Sequence, residues 1–138
     1  KARDTLNHCT AILMGPGLAG EMPSSMRLEI SRIWQEGVMP VIVDASSLDL
    51  LTECGTPNEA VRVITPHPGE AARMLNMPVS DIQADRPAAL RMLAQKYNCQ
   101  VVLKGLHTLT GGASGEIFLN SSGNPYFINS LMIPRIHL

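Results

Sequence analysis

A single histidine, His67, lies between Pro66 and Pro68 in the segment TPHPGE at residues 65–70. Each proline fixes its own φ and biases the preceding residue away from helical geometry, so the imidazole is held where the preceding apolar run ends. Glu70 falls in the first turn of a predicted helix, where the helix dipole favours a carboxylate. A held imidazole beside a carboxylate can contact a ligand. The alternative is a rigid turn with a solvated histidine and a capping glutamate.

A second polar cluster follows another apolar run, in the segment LKGLHT at residues 103–108. Lys104, the backbone at Gly105 and the hydroxyl of Thr108 are groups that bind phosphate oxygens. The G-x-x-x-x-G-K-[ST] spacing of a P-loop is absent. The alternative is an ordinary surface lysine at a strand end, and His107 is predicted to be exposed.

The segment GPGLAG at residues 15–20 fits the pattern G-x-G-x-x-G of dinucleotide-binding turns, and Asp44 ends the next apolar run. In such turns the helix begins inside the glycine motif, whereas here Pro23 and two serines place the helix start later. Pro16 also removes a backbone donor. The pattern therefore indicates either a backbone that a ligand approaches closely or a tight turn. For Asp44, a cap of the following helix is favoured over a ligand contact.

These loops lie between alternating strand and helix patterns. Four apolar runs read as strands, at residues 11–15, 40–44, 61–64 and 99–105, and shorter hairpin-like strands follow at 107–112, 115–120 and 124–129. Predicted helix caps are Ser24, Ser25 and Asp85, and the apolar face of the first helix is Met26, Ile30, Ile33 and Trp34. The alternation predicts an α/β fold with a parallel sheet covered by helices on both faces. Ligands in such sheets bind beyond the carboxyl ends of the strands.

The composition describes a modest globular domain without an electrostatic preference for nucleic acid or membranes. The 138 residues are 45% hydrophobic and 17% charged, with a formal net charge of -1. No run approaches the ~20 apolar residues of a membrane span. The widely spaced Cys9, Cys54 and Cys99 form no metal-binding pattern, which predicts reduced thiols and a cytoplasmic location.

Taken together, the order GPGL, VIVDAS, TPHPGE, LKGLHT and GNP resembles the ADP- or ATP-dependent NAD(P)H-hydrate dehydratases, a branch of the ribokinase-like superfamily. The resemblance covers roughly residues 10–125. It implies a three-layer α/β/α ribokinase-like fold with a mainly parallel central sheet, incomplete in this chain. It also implies a lyase that removes water from hydrated NADH or NADPH while splitting ADP or ATP with Mg²⁺, and a homo-oligomer. Residues 1–125 would be the central part of that domain and residues 126–138 a divergent tail.

The same resemblance assigns roles by position. Gly17 and His67 would contact the hydrated dinucleotide, and Glu70 would act on Mg²⁺ through its waters. The nucleotide-binding residues would be Lys104, Gly105, Leu106, His107 and Thr108. Further candidates for the site are Gly15, Asp44 and Asn124.

Three departures from the family pattern affect this prediction. Ala19 stands in place of a glycine, and Ser46 in place of an aspartate. After Asn124 there is no glycine or aspartate, so the Gly-Thr-Gly-Asp segment with the family's catalytic aspartate is absent. No catalytic residue is identified, and the chain is expected not to turn over by itself.

Two alternative functions stay open on sequence alone. A ribokinase-like small-molecule kinase of the thiamine-precursor type would use the same fold, although the sugar-kinase branch usually has asparagine where His67 stands. A non-catalytic, Rossmann-like NAD-binding module would rest on residues 15–20 together with Asp44. That module would bind unmodified NAD without ADP or Mg²⁺.

Overall fold

The computed structural model describes residues 8–18, 20–115 and 117–119, and its centre is a six-stranded sheet. The strands are β1 (Ile12–Met14), β2 (Val41–Val43), β3 (Arg62–Ile64), β4 (Gln100–Leu103), β5 (Leu109–Gly111) and β6 (Ile117–Leu119). They follow one another across the sheet in chain order. The first four are parallel, and β5 and β6 add antiparallel pairs. The predicted mainly parallel α/β sheet is confirmed.

Helices connect the parallel strands. They are α1 (Ser24–Glu36), α2 (Ser46–Leu50) with a following 3₁₀ turn (Leu51–Glu53), α3 (Pro68–Leu75), α4 (Val79–Ala84) and α5 (Arg86–Tyr97). None of the helices in the described ranges is long and apolar enough to cross a membrane.

The predicted caps are partly right. Asp85 caps α5, since its Oδ1 accepts a hydrogen bond from the amide of Ala88 at 3.0 Å. The prediction of serine caps for α1 is wrong. Pro23 is the N-cap, in an extended conformation with no side-chain cap, and Ser24 is already helical. The fixed φ of Pro23 sets the direction of the chain at the start of α1, so no serine hydroxyl is needed as a cap.

The hairpins predicted after β4 are confirmed where the structure describes them. Val102 pairs with Thr110, and Thr110 pairs with Phe118, both in antiparallel register. The third predicted strand, at residues 124–129, lies outside the described residues.

The hydrophobic core lies on one face of the sheet. Val41 and Val43 are buried and alternate with the half-buried Ile42, and Met14 is buried while its neighbour Leu13 is 62% exposed. Parallel strands in consecutive order with right-handed crossovers place their connecting helices on the same side. The helices of the described residues therefore form one layer, and the prediction of helices on both faces is wrong for this part of the chain. On the opposite face Leu13 is exposed, whereas Val102 of β4 is only 6% exposed.

A buried arginine joins β3 to the end of α1. Arg62 is 2% exposed, and its guanidinium donates to the backbone carbonyls of Ile33, Trp34, Gly37, Met39 and Val61. Burial lowers the pKa of Arg62. The carbonyl oxygens satisfy the buried cation. In return, Arg62 supplies hydrogen-bond donors to carbonyl groups at the C-terminal end of α1 that the helix itself leaves without a partner.

Candidate functional site

The loops after the four parallel strands lie side by side at one edge of the sheet. Backbone hydrogen bonds continue the pairing beyond the strands themselves. They run from Asp44 N to Met14 O at 2.9 Å, from Thr65 N to Val43 O at 3.1 Å, and from Lys104 N to Pro66 O at 2.8 Å. The row of loops predicted from the sequence is therefore present.

The first loop, which begins at Gly15, is a tight turn whose two glycines, Gly15 and Gly17, have different roles. The amide of Leu18 donates to the carbonyl of Gly15 at 3.1 Å, and Pro16 and Gly17 (φ +80°) occupy the central positions of a type II turn. A Cβ at Gly15 would lie 1.6 Å from the carbonyl oxygen of Asp44, so packing against β2 requires this glycine. A Cβ at Gly17 would have no atom within 4 Å. Of these two glycines, Gly17 is the one whose backbone a ligand can approach.

The position of this loop before α1, together with the strand order, argues against the alternative of a Rossmann-like NAD-binding module. Helix α1 begins at Ser24, beyond the whole glycine motif, so its N-terminus does not form part of the turn. The four parallel strands are also consecutive in the sheet, without the reversal of strand order next to β1 that creates the Rossmann binding crevice. The prediction of a Rossmann-like module is therefore wrong.

His67 caps the helix that follows it. Its Nδ1 accepts hydrogen bonds from the amides of Gly69 at 3.0 Å and Glu70 at 3.3 Å. In return, Oε2 of Glu70 accepts a hydrogen bond from the amide of His67 at 2.8 Å. This reciprocal capping box fixes the ring more firmly than the two prolines alone.

The cap also decides what the imidazole presents to a ligand. Because Nδ1 is an acceptor, the proton of the neutral ring is on Nε2. The side chain is 53% exposed, and Nε2 lies 3.5 Å from Oε1 of the buried Glu70. His67 therefore offers an oriented N–H donor at the edge of the sheet.

Asp44 and Lys104 form an ion pair between β2 and β4. Nζ of Lys104 lies 2.7 Å from Oδ1 of Asp44 and 3.9 Å from Oε2 of Glu70. Burial raises the pKa of Asp44, but hydrogen bonds from Lys104, Thr65 and the backbone of Ala45 outweigh it, so the pKa is lowered. The charged form of the carboxylate is thus favoured in the folded protein.

The prediction that Asp44 caps the next helix is wrong. The N-cap of α2 is Ala45, with φ +51° and no side-chain hydrogen bond. The carboxylate instead bonds to Lys104, 60 residues further along the chain. Sequence reasoning missed this pair because each residue ends a different strand and nothing local couples them.

The backbone of the fourth loop, at residues 104–108, is hydrogen-bonded by a residue that the sequence analysis did not identify as part of the site. Arg86, in the first turn of α5, donates to the carbonyls of Leu103, Lys104 and His107. A cation at a helix N-terminus opposes the helix dipole, and this mismatch is the signal that could have identified it. The side chain of His107 is exposed, as predicted, and that of Leu106 is 89% exposed.

Comparison with known proteins decides the family. The model of a carbohydrate-kinase family described as NAD(P)H-hydrate dehydratase matches residues 1–129. The chain belongs to the NAD(P)H-hydrate dehydratase family. It is 44% identical over 90 residues to the ADP-dependent (S)-NAD(P)H-hydrate dehydratase of Neisseria meningitidis, covering 62% of this chain and 30% of that protein. It is 36% identical to the bifunctional NAD(P)H-hydrate repair enzyme of Coxiella burnetii, covering 87% of this chain and 24% of that protein.

Solved structures of similar chains show the same ribokinase-like α/β fold. Bacillus subtilis YxkO superposes with a TM-score of 0.70 at 33% identity, covering 83% of this chain and 41% of the other. The B. subtilis ADP/ATP-dependent NAD(P)H-hydrate dehydratase co-crystallised with ATP and Mg²⁺ gives a TM-score of 0.67 at 32% identity, covering 80% and 38%. The chain thus spans between 24% and 41% of the length of these four relatives.

One candidate site residue and the predicted divergent tail cannot be placed relative to these loops. Asn124 and the tail at 126–138 lie outside the described residues. Among the described residues, no three histidine, cysteine, aspartate or glutamate side chains cluster in a way that could hold a metal ion. Glu70 is buried, with one oxygen bonded to His67, which fits a role toward Mg²⁺ through water better than direct ligation.

Proposed function

We propose that this chain forms the part of a nucleotide-dependent NAD(P)H-hydrate dehydratase that binds the hydrated dinucleotide and the phosphates of ADP or ATP. The observation that carries the proposal is the fixed N–H donor of His67 in a row of strand-end loops. Family membership and the ribokinase-like fold support the same reaction.

His67 and Gly17 would contact the hydrated dinucleotide. A hydrated nicotinamide ring carries a hydroxyl that the ordinary ring lacks, and Nε2–H can donate to such an oxygen or to a diphosphate oxygen. Gly17 leaves the backbone open for close approach. The cap orients the imidazole before the ligand arrives, so little conformational entropy is lost on binding.

Residues 104–108 would contact the nucleotide phosphates. Lys104 is bonded to Asp44, so a phosphate must compete with that carboxylate for the ammonium group. Mg²⁺, when bound, would neutralise phosphate charge, and Glu70 would hold its waters.

A binding experiment tests the role of His67. Hydrated NADH would be titrated into the 138-residue chain, into His67→Asn and into His67→Ala. Asparagine is a good N-cap, so His67→Asn is expected to keep the folding stability while weakening the affinity about tenfold, which corresponds to about 1.4 kcal/mol. His67→Ala is expected to weaken binding and also to lower the unfolding free energy by ~1 kcal/mol.

The two variants separate binding from capping, because only alanine removes both. Equal affinity of wild type and His67→Asn for hydrated NADH would contradict the proposed contact. Preference for unmodified NADH over the hydrate would contradict the proposed substrate.

The proposal extends to the assembly and the location of the whole protein. We expect a homo-oligomer in a reducing compartment. Cys54 and Cys99 form no disulfide, and burial raises the pKa of the Cys99 thiol to about 12. Light scattering after size-exclusion chromatography tests the assembly.

A further inference from the structure

We propose that Arg86 is a positioning residue that shapes the nucleotide-phosphate loop at residues 104–108. The inference rests on the proposed function for the role of the loop, and on the contacts of Arg86 for the mechanism. Arg86 touches no reacting group in this assignment. It acts through the backbone of the loop that it supports.

The guanidinium is bound to three carbonyl oxygens of the loop and its base. Nη1 donates to His107 at 2.7 Å, and Nη2 donates to Leu103 at 3.1 Å and to Lys104 at 3.3 Å. These carbonyls span both ends of the loop, so one planar group sets its width. A lysine ammonium lacks the rigid fork that fits this arrangement.

These hydrogen bonds also orient the amides of the loop. In a trans peptide unit the C=O and the N–H point in opposite directions. Because the carbonyls of Lys104 and His107 point at Arg86, the amides of Gly105 and Thr108 point away from it. Arg86 thereby turns two backbone donors toward the side from which an anionic oxygen would approach.

Gly105 packs directly against this arginine. A Cβ at Gly105 would lie 2.6 Å from Nη2 and 2.9 Å from Cζ of Arg86. The loop therefore passes too close to the guanidinium for a side chain. Nε of Arg86 is buried without a hydrogen-bond partner in the described part of the chain, so the terminal nitrogens alone hold the group.

The test measures the loop and the ligand separately. The proteins are the full 138-residue wild type, Arg86→Gln, Arg86→Lys and the matched control Arg91→Gln, which removes the same charge from an exposed position of α5. Backbone ¹⁵N order parameters of residues 105–108 are measured without ligand. ADP is then titrated with Mg²⁺ present.

Arg86→Gln is expected to lower the order parameters from roughly 0.85 to below about 0.6 and to weaken ADP binding about tenfold. Arg91→Gln should change neither. Arg86→Lys should loosen the loop as Arg86→Gln does. If Arg86→Lys restored full ADP affinity while the loop stayed mobile, a direct charge effect on the phosphates would replace positioning and the inference would be wrong.

Because Arg86→Gln could fail to fold, a second variant tests the same contact from the side of the loop. Gly105→Ala should displace the guanidinium and loosen the loop, and adding it to Arg86→Gln should cause little further change, because the two share one contact. Unchanged order parameters in both single variants would overturn the proposal. If the wild type binds no ADP, the proposed function fails for this chain, while the order parameters still decide whether Arg86 shapes the loop.

Discussion

The loops after β3 and β4 lie side by side, but they are held in different ways. The loop at residues 65–70 is fixed by its own residues, through two prolines and the capping box between His67 and Glu70. The loop at residues 104–108 is fixed by Arg86, which belongs to another element and lies 17 to 21 residues before the carbonyls that it binds. The loop at residues 65–70 keeps its shape through interactions among its own residues, whereas the loop at residues 104–108 depends on how α5 packs.

Stiffness is therefore distributed unevenly between the two loops. The amide of Lys104 donates to the carbonyl of Pro66, so the locally fixed loop also serves as a template for the start of the other. The comparison therefore predicts one-way dependence: disturbing Arg86 should leave residues 65–70 ordered, whereas disturbing Glu70 should affect both loops to different extents.

The largest effect is expected from Glu70→Ala. This change removes a buried carboxylate that accepts the amide of His67 at 2.8 Å, and it leaves that amide without its partner. Urea unfolding should show a loss of about 2–3 kcal/mol in unfolding free energy. Glu70→Gln keeps an acceptor oxygen and should lose clearly less. A loss in Glu70→Ala below that of Glu70→Gln would contradict the account of the capping box.

An intermediate effect is expected from Asp44→Asn, which removes the ion pair between the end of β2 and Lys104 in the loop at residues 104–108. The side chains are 29% and 40% exposed, so the loss at neutral pH should be at most about 1 kcal/mol. The pKa of Asp44 is lowered from 3.8, so its contribution is present above that pH and is lost as pH falls through the folded-state value.

Unfolding midpoints measured between pH 7 and pH 3 check this prediction. The stability gap between wild type and Asp44→Asn should close below about pH 3.8. A gap that stays constant over this range would show that the charge of Asp44 does not stabilise the fold.

The smallest effect is expected from Pro68→Ala. Pro68 is the first residue of α3, a position where its fixed φ suits the helix. Alanine should lower the unfolding free energy by about 0.4–1 kcal/mol, because the unfolded chain gains freedom. The same measurement on Pro87→Ala, at the start of α5, is the matched control. If Pro68→Ala instead reduced the order of residues 104–108 as strongly as Arg86→Gln, Arg86 would not be the main support of that loop.

Much of the site's placement could be predicted from sequence. Apolar β-branched runs alternating with helical periods gave the parallel sheet, and the rule for carboxyl ends placed four loops at one edge. His67 and Glu70 were found because Pro66 and Pro68 mark the position by local geometry. The Asp44–Lys104 pair was missed because it leaves no periodic or short-range pattern. Arg86 was missed because its local signal, a cation at a helix N-terminus, does not show which backbone groups it contacts.

By itself, then, the sequence determined the order of the elements, the family, and the stiffness of the loop around His67, because propensity, proline geometry and capping act over a few residues. Only the packed structure shows that Gly15 serves packing while Gly17 is open, that Asp44 pairs with Lys104 instead of capping a helix, and that Arg86 supports the loop at residues 104–108. These depend on distances between residues far apart in the chain, and such distances exist only after the strands and helices have packed.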